Sequence, residues 1–133
     1  MNAAEVIADL LARGHSVRFR ASGHSMHPII RCDDYLLVVP PSQIRLGDVV
    51  LTRADRGLTA HRVISIANGI VITRGDNAPG DDDPLDLSRV LGVVTHAEQG
   101  GKLRRIRSEL GLALRMRRLW RRALIHFPAH AHL

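Results

Sequence analysis

The stretch HRVISIANGIVIT, residues 61–73, predicts a β-hairpin. Residues 61–66 and 70–73 are rich in valine and isoleucine, which favour extended backbone. Asn68-Gly69 stands between the two runs and is a favoured two-residue hairpin turn. The first expectation for this chain is therefore antiparallel β structure around residue 68.

Similar short runs lie on both sides of this hairpin. Predicted strands cover 16–21, 35–39, 48–52, 90–96 and 102–106. Turn residues separate them: Pro40-Pro41, Gly47, and the loop at 75–84, whose composition is mostly Gly, Asp, Asn and Pro. An amphipathic helix is predicted over 3–13, closed by Gly14. The fold class is mainly β, with a helix at each end.

The charge of the chain is concentrated near its C-terminal end. The formal net charge is +6 over 133 residues, but nine basic residues and one acidic residue lie between Lys102 and Arg122. That segment carries +8, so the remainder carries about −2. We predict one domain over 1–106, followed by a basic amphipathic tail over 107–133.

The tail predicts a helix over about 108–127. On a helical wheel, one face is apolar and the other is basic. The apolar face holds Leu112, Met116, Leu119, Trp120, Ala123 and Phe127, and the basic face holds Arg115, Arg118, Arg121 and Arg122. Three interpretations stay open: packing on the β domain with solvated arginines, docking on an anionic membrane over 107–127, and nucleic-acid binding. The last is the poorest, since Trp120 is the only stacking aromatic among the charges.

No apolar run approaches the roughly 18 residues that would span a bilayer. The first twelve residues, MNAAEVIADLLA, contain Glu5 and Asp9 and do not have the pattern of a secretory signal. The single cysteine, Cys32, cannot form an internal disulfide. We expect a protein that is cytoplasmic or peripherally associated with a membrane.

The stretch SGHSMHPII, residues 22–30, predicts a rigid turn that presents a serine. Gly23 permits a tight backbone approach, Pro28 restricts the backbone on the far side of the turn, and Met26 can anchor the turn in the core. Ser25 would then project from the end of the 16–21 strand. A serine hydroxyl becomes a useful nucleophile only when a base takes its proton.

A base and a carboxylate occur later in the chain. His61 begins a strand, and its ordinary pKa makes histidine suitable as a general base. Gly75-Asp76-Asn77 is followed by Asp81, Asp82 and Asp83, one of which could orient that histidine. Each residue alone is more often an ordinary surface or loop residue. Their order and spacing together favour a catalytic site.

The ordered set resembles the signal peptidase I family over roughly residues 17–96. The motifs are Gly23-His24-Ser25-Met26-His27-Pro28, Gly47-Asp48-Val49-Val50, His61-Arg62-Val63, and Gly75-Asp76-Asn77 with its trailing aspartates. Bacterial members have lysine at the position of His61. Endoplasmic-reticulum and archaeal members have His-Arg-Val, as this chain does.

The resemblance implies a signal-peptidase or SOS-repressor-peptidase β fold and serine endopeptidase activity without a cofactor. Ser25 would be the nucleophile, with its own N–H as an oxyanion donor, and His61 the general base. Asp82 would orient His61, with Asp81 and Asp83 as alternatives, whereas Asp76 would brace the loop. The substrate would be a peptide or protein precursor with small residues such as alanine before the cleaved bond.

Other functions are weighed against this one. His24, His27 and His61 could bind zinc, as could His126, His130 and His132, but neither set is favoured. Cys32 is a poor nucleophile, because Asp33 and Asp34 beside it disfavour a thiolate. The alternatives are a self-cleaving regulator on the same fold and a catalytically silent module whose basic helix binds lipid or nucleic acid.

Overall fold

The computed structural model describes residues 1–54, 57–108 and 124–132, and of 124–130 the backbone only. It is built from one α-helix, nine strands and one 3₁₀ turn within those ranges. The elements are α1 Ala3–Ala12, β1 Ser16–Ser22, β2 Tyr35–Val39, β3 Val49–Ala54, β4 Gly57–Ala67, β5 Ile70–Arg74, β6 Leu85–Asp86, the 3₁₀ turn Leu87–Arg89, β7 Val90–Gln99, β8 Lys102–Arg105 and β9 Leu124–His132.

The strands close into a barrel. Neighbours run in the order β3-β7-β2-β1-β9-β4, and β3 also pairs with β4, which completes the ring. Strands β5 and β6 extend the sheet beyond β4, and β8 pairs with β7. Closure leaves fewer strand edges exposed to solvent. It also brings β1 and β4, which are distant in sequence, to either side of β9.

Helix α1 packs across the barrel and contributes Ile7 and Leu11 to its core. Asn2 and Glu5 form a reciprocal capping box at its start. Gly14, at φ 89°, ends the helix in the left-handed conformation that glycine adopts freely. The buried cluster around α1 also contains Phe19, Met26 and Ile30. The helix therefore supports the segment that follows β1.

The hairpin predicted at residues 61–73 is confirmed. Strands β4 and β5 pair antiparallel, and Asn68 and Gly69 both have positive φ, at 52° and 75°. Positive φ at both central residues matches the right-handed twist of the flanking strands. The other predicted strands are also present, with β4 and β7 longer than expected. Strands β6 and β9 were not predicted.

The prediction of a helix over 108–127 has two outcomes. Residues 109–123 lie outside the described residues. For 124–127 the helix prediction is wrong, because Leu124–His132 form strand β9. The helical wheel considers side chains alone, whereas the unpaired N–H and C=O groups of neighbouring strands offer partners to an extended segment. None of the helices in the described ranges is long and apolar enough to cross a bilayer.

Candidate active site

The segment after β1 forms a compact turn that presents Ser25. His27 N–H donates to the carbonyl of His24, and Ile30 N–H donates to the carbonyl of Met26. The side chains of Met26 and Ile30 are fully buried in the core cluster. Because the turn is tied down on both sides of Ser25, the serine has little freedom to move away from its neighbours.

The loop that begins at Gly75 clamps this turn from the other side. Asn77 N–H donates to the Ser25 carbonyl at 2.7 Å, and the Asn77 side-chain amide donates to the His24 carbonyl at 3.2 Å. Asp76 N–H points at the Met26 sulfur at 3.3 Å. A Cβ on Gly75 would lie 2.6 Å from the Ser25 carbonyl oxygen, so only glycine fits this approach. The two predicted motifs are therefore in direct contact.

Ser25, His61 and Asp82 form a continuous hydrogen-bonded series. Ser25 Oγ lies 2.8 Å from His61 Nε2, and His61 Nδ1 lies 2.5 Å from Asp82 Oδ2. In the tautomer that satisfies both contacts, Nδ1–H donates to the carboxylate and Nε2 accepts the serine proton. His61 is only 9 % exposed. This is the arrangement that lets a histidine act on a serine hydroxyl.

Thr73, at the end of β5, holds Asp82 through two hydrogen bonds. Asp82 N–H donates to the Thr73 carbonyl at 2.9 Å. The Thr73 hydroxyl donates at 2.7 Å to Oδ2 of Asp82, the same oxygen that faces His61. Thr73 is 2 % exposed. The sequence gives no sign of this role, because a threonine at a strand end has no distinguishing pattern.

The other acidic candidates lie elsewhere. Asp81 pairs with Arg74 at 3.8 Å, and Asp83 is exposed. Asp76 accepts two hydrogen bonds of 2.8 Å from the Arg62 guanidinium, a bidentate pair. Asp82 is therefore the aspartate next to His61, whereas Asp76 is bound to Arg62.

Arg62 connects several motifs at once. Besides Asp76, its guanidinium donates to the backbone carbonyls of Gly47, at 2.8 Å, and Arg107, at 3.0 Å. Val63 N–H donates to the Asp48 carbonyl, and Gly47 N–H donates to the Val63 carbonyl. The Gly47 turn, the His61 strand and the Gly75 loop thus form one assembly around the triad of side chains. In the sequence, Arg62 stands out only as part of a motif.

The histidines considered as zinc ligands lie in different settings. Nδ1 of His61 contacts Asp82 and Nε2 contacts Ser25 Oγ. His24 and His27 are exposed. Among the described residues, no group of three His, Cys, Asp or Glu side chains could hold a metal. The side chains of His126 and His130 are not among those described.

Two further features lie near this hydrogen-bonded series, the amide of Ser25 and a cleft beside Asp82. Within the described part of the chain, the Ser25 amide N–H makes no hydrogen bond, so it is available to a carbonyl oxygen. A cleft of about 580 Å³ lies on the Asp82 side, and neither Ser25 nor His61 lines it. It is lined by Thr52, Ala54, Thr59, Thr73, Asp81, Asp82, Asp83, Leu85 and Arg89.

Comparison with known protein families matches residues 3–95 to the family described as Peptidase S24-like. Comparisons with curated proteins and with solved structures found no match. The matched span is more than two thirds of the chain and contains Ser25, His61 and Asp82. The match supports the superfamily of serine peptidases that includes the signal peptidase I-like enzymes. It does not single out signal peptidase I. Because this match covers more than half of the chain, and because the fold is a mainly β barrel, the chain belongs to the Peptidase S24-like family.

Proposed function

We propose that this protein is a serine endopeptidase of the signal-peptidase-like type, with Ser25 as nucleophile, His61 as general base and Asp82 as the residue that orients His61. The observation that carries the proposal is the contact of Ser25 Oγ with His61 Nε2 at 2.8 Å, on a histidine whose other nitrogen faces a carboxylate. A solvated loop serine has no reason to lie beside such a histidine.

The proposed reaction is acyl transfer to Ser25 followed by hydrolysis. His61 Nε2 takes the hydroxyl proton as Ser25 Oγ attacks the substrate carbonyl, and the Ser25 N–H stabilises the oxyanion. His61 then gives the proton to the leaving amine, and Asp82 stabilises the imidazolium in between. Water repeats the sequence on the acyl-enzyme. No cofactor takes part in these steps.

The substrate class rests on the family resemblance. We expect a peptide or protein precursor with alanine or another small residue before the cleaved bond. Signal-peptide processing, cleavage of a soluble precursor and self-cleavage are three forms of this activity.

The test is mass spectrometry of a peptide pool rich in Ala-x-Ala sequences, incubated with the wild type and with single variants. Ser25→Ala and His61→Ala should each lower the cleavage rate by ~10⁴-fold or more. Ser42→Ala and His15→Ala make the same changes at exposed positions and should cleave as the wild type does. Cleavage that survives both Ser25→Ala and His61→Ala would overturn the assignment.

Contact with an anionic membrane through residues 107–127 stays a prediction of the sequence. The basic side chains that motivate it lie mostly at 109–123, outside the described residues. Flotation with vesicles that contain anionic lipid, at increasing salt, tests it. Binding should weaken with salt and with Arg115, Arg118, Arg121 and Arg122 all changed to glutamine. Unchanged flotation of that variant would contradict the membrane contact.

A further inference from the structure

Strand β9 fills a gap between two strands that lead to the proposed active site. Without β9, the ring opens into a sheet in the order β4-β3-β7-β2-β1, in which β1 and the part of β4 near Thr59 lose a partner, while β4 keeps β5 over 62–67. Ser25 lies three residues after the end of β1, and His61 lies within β4. A groove between two free strand edges binds an extended peptide by backbone hydrogen bonds.

The pairing of β9 differs from that of every other strand. It runs parallel to both β1 and β4, whereas all other strand pairs in the described sheet are antiparallel. Residues 124–132 also lie beyond the span 3–95 that matches the family. Strand β9 therefore lies outside the part of the barrel that the family match covers.

The pairing of β9 with β1 is interrupted by a bulge. Arg18 pairs with His126 and Arg20 pairs with His130, so β9 has an extra two residues between these pairs. Pro128 lies in this bulge and has no N–H to donate to a neighbouring strand. An interrupted ladder is easier to displace than a continuous one.

The direction of β9 leads toward the catalytic side chains. Ala21 pairs with Ala131 and Ser22 with His132 on one side, and Thr59 pairs with His132 on the other. His61 lies only two residues beyond Thr59 along β4. Ala131 is fully buried, and the Ser22 hydroxyl contacts its carbonyl at 3.4 Å. A small residue of β9 thus occupies the groove just before the triad.

We propose that the segment Leu124–His132 binds the peptide groove of its own chain in place of a substrate, so that a substrate peptide must displace it. This inference rests on the proposed function for its chemistry, but the occupancy itself can be measured as binding. The site is regulated in cis: the open fraction of the groove scales the apparent affinity for peptide.

The first test is Ala131→Arg in the full-length chain, with Ala12→Arg as the matched control. A buried alanine cannot be replaced by arginine without moving the strand, whereas Ala12, at the end of α1, is exposed. Ala131→Arg should lower the KM for an Ala-x-Ala peptide by about tenfold with kcat unchanged, because a competing occupant affects only binding. Ala12→Arg should keep the wild-type KM. Equal KM values for the wild type and both variants would overturn the proposal.

A disulfide lock tests the same idea in the opposite direction and does not depend on the folding of Ala131→Arg. Arg20 and His130 are paired residues, so a cysteine at each brings two thiols within disulfide reach. In a Cys32→Ser background, oxidation of Arg20→Cys/His130→Cys should lower peptide cleavage at least tenfold, and a reductant should restore it. Arg20→Cys alone should be insensitive. Failure to form the disulfide, or full cleavage by the oxidised chain, would contradict the occupancy.

Peptide binding separates this inference from the proposed function. Fluorescence anisotropy of a labelled Ala-x-Ala peptide is measured with Ser25→Ala, with and without the added Ala131→Arg change. Tighter binding in the double variant supports displacement of β9, even if no variant ever cleaves a peptide. Cleavage by the wild type together with unchanged binding in the double variant would sink the inference and leave the proposed function standing.

Discussion

The effect of the Thr73 hydroxyl on activity can be tested by a substitution that keeps the shape of the side chain. It donates to the oxygen of Asp82 that faces His61, so it fixes the position of that carboxylate. Thr73→Val keeps the shape and removes the donor, and should lower kcat by about tenfold to a hundredfold, by analogy with the outer hydrogen-bond partners of metal ligands. KM should change less than kcat, because the Thr73 hydroxyl is directed at Asp82.

Thr73→Ser is the matched control, because it keeps the hydroxyl. It should restore most of kcat, and the low-field imidazole N–H resonance of His61 should persist in Thr73→Ser and broaden in Thr73→Val. Equal losses of kcat in the two variants would show that packing of the methyl group matters, and not the hydrogen bond.

His96 should make the protein sensitive to acid. Burial, with a smaller contribution from the charge of Arg105, lowers the pKa of His96 to about 4. The unfolded chain then binds a proton below about pH 6.5 that the folded chain binds only near pH 4. Stability should therefore fall as the pH drops through this window, by about 1–2 kcal/mol once solvent screening of this partly exposed group is allowed for.

Urea unfolding at pH 7.0 and pH 4.5 measures this effect. His96→Gln should lose less stability on acidification than the wild type. His15→Gln, at an exposed position, should behave as the wild type does. An identical pH dependence for all three proteins would rule out His96 as the source.

The sequence predicts some residues of the candidate site better than others. Ser25 and His61 stand in motifs whose order is informative, and they do lie in contact. The family resemblance favoured Asp82 but left Asp81 and Asp83 as alternatives, because the path of a loop sets which carboxylate faces the histidine. The hydrogen bond of Asp82 N–H to the Thr73 carbonyl decides it, and no sequence pattern reports that bond.

Among the structural elements, the Gly75 loop should tolerate the least change. Gly75→Ala would place a methyl group 2.6 Å from the Ser25 carbonyl and 2.9 Å from Ser25 Cβ. The backbone there cannot yield without moving Ser25 relative to His61, so we expect kcat to fall by about a hundredfold. Gly80→Ala, in the same loop, meets nothing within 4 Å and should cleave normally.

Peptide cleavage and thermal unfolding together check this prediction. Gly75→Ala should lose more activity than stability, since the clash is local to the turn. If both glycine variants cleaved peptide at the wild-type rate, the contact of the two loops would not control the position of Ser25.

The elements themselves were predictable where side-chain pattern and backbone partner agree. The β4–β5 hairpin is one case, because its turn and both of its strands are continuous in sequence. Strand β9 is the opposite case. Its partners β1 and β4 lie about a hundred and about seventy residues earlier in the chain, and a helical wheel includes no such partner. Long-range pairing overrode the local pattern at 124–127.

For the molecule as a whole, the barrel unites residues that are far apart in sequence. His61 lies 36 residues after Ser25, and Asp82 lies 21 residues after His61. The core cluster that contains Met26 also contains Ile7 and Leu11 of α1. The helix is therefore connected to the Ser25 turn through the packed interior, and its loss should weaken the whole fold.

Ile7→Ala tests how far the barrel depends on this helix. Ile7 is fully buried, so its truncation should lower the free energy of unfolding by about 2–4 kcal/mol through lost burial and a residual cavity. Ile64→Ala makes the same change on β4 at a residue that is 42 % exposed, and should cost less than about 1 kcal/mol. Urea unfolding followed by circular dichroism measures both values. Peptide cleavage by Ile7→Ala should stay normal at 25 °C and fail several degrees below the temperature at which the wild type fails, since the triad itself is unchanged. Equal losses of stability in the two variants would mean that α1 lies on the barrel without supporting it.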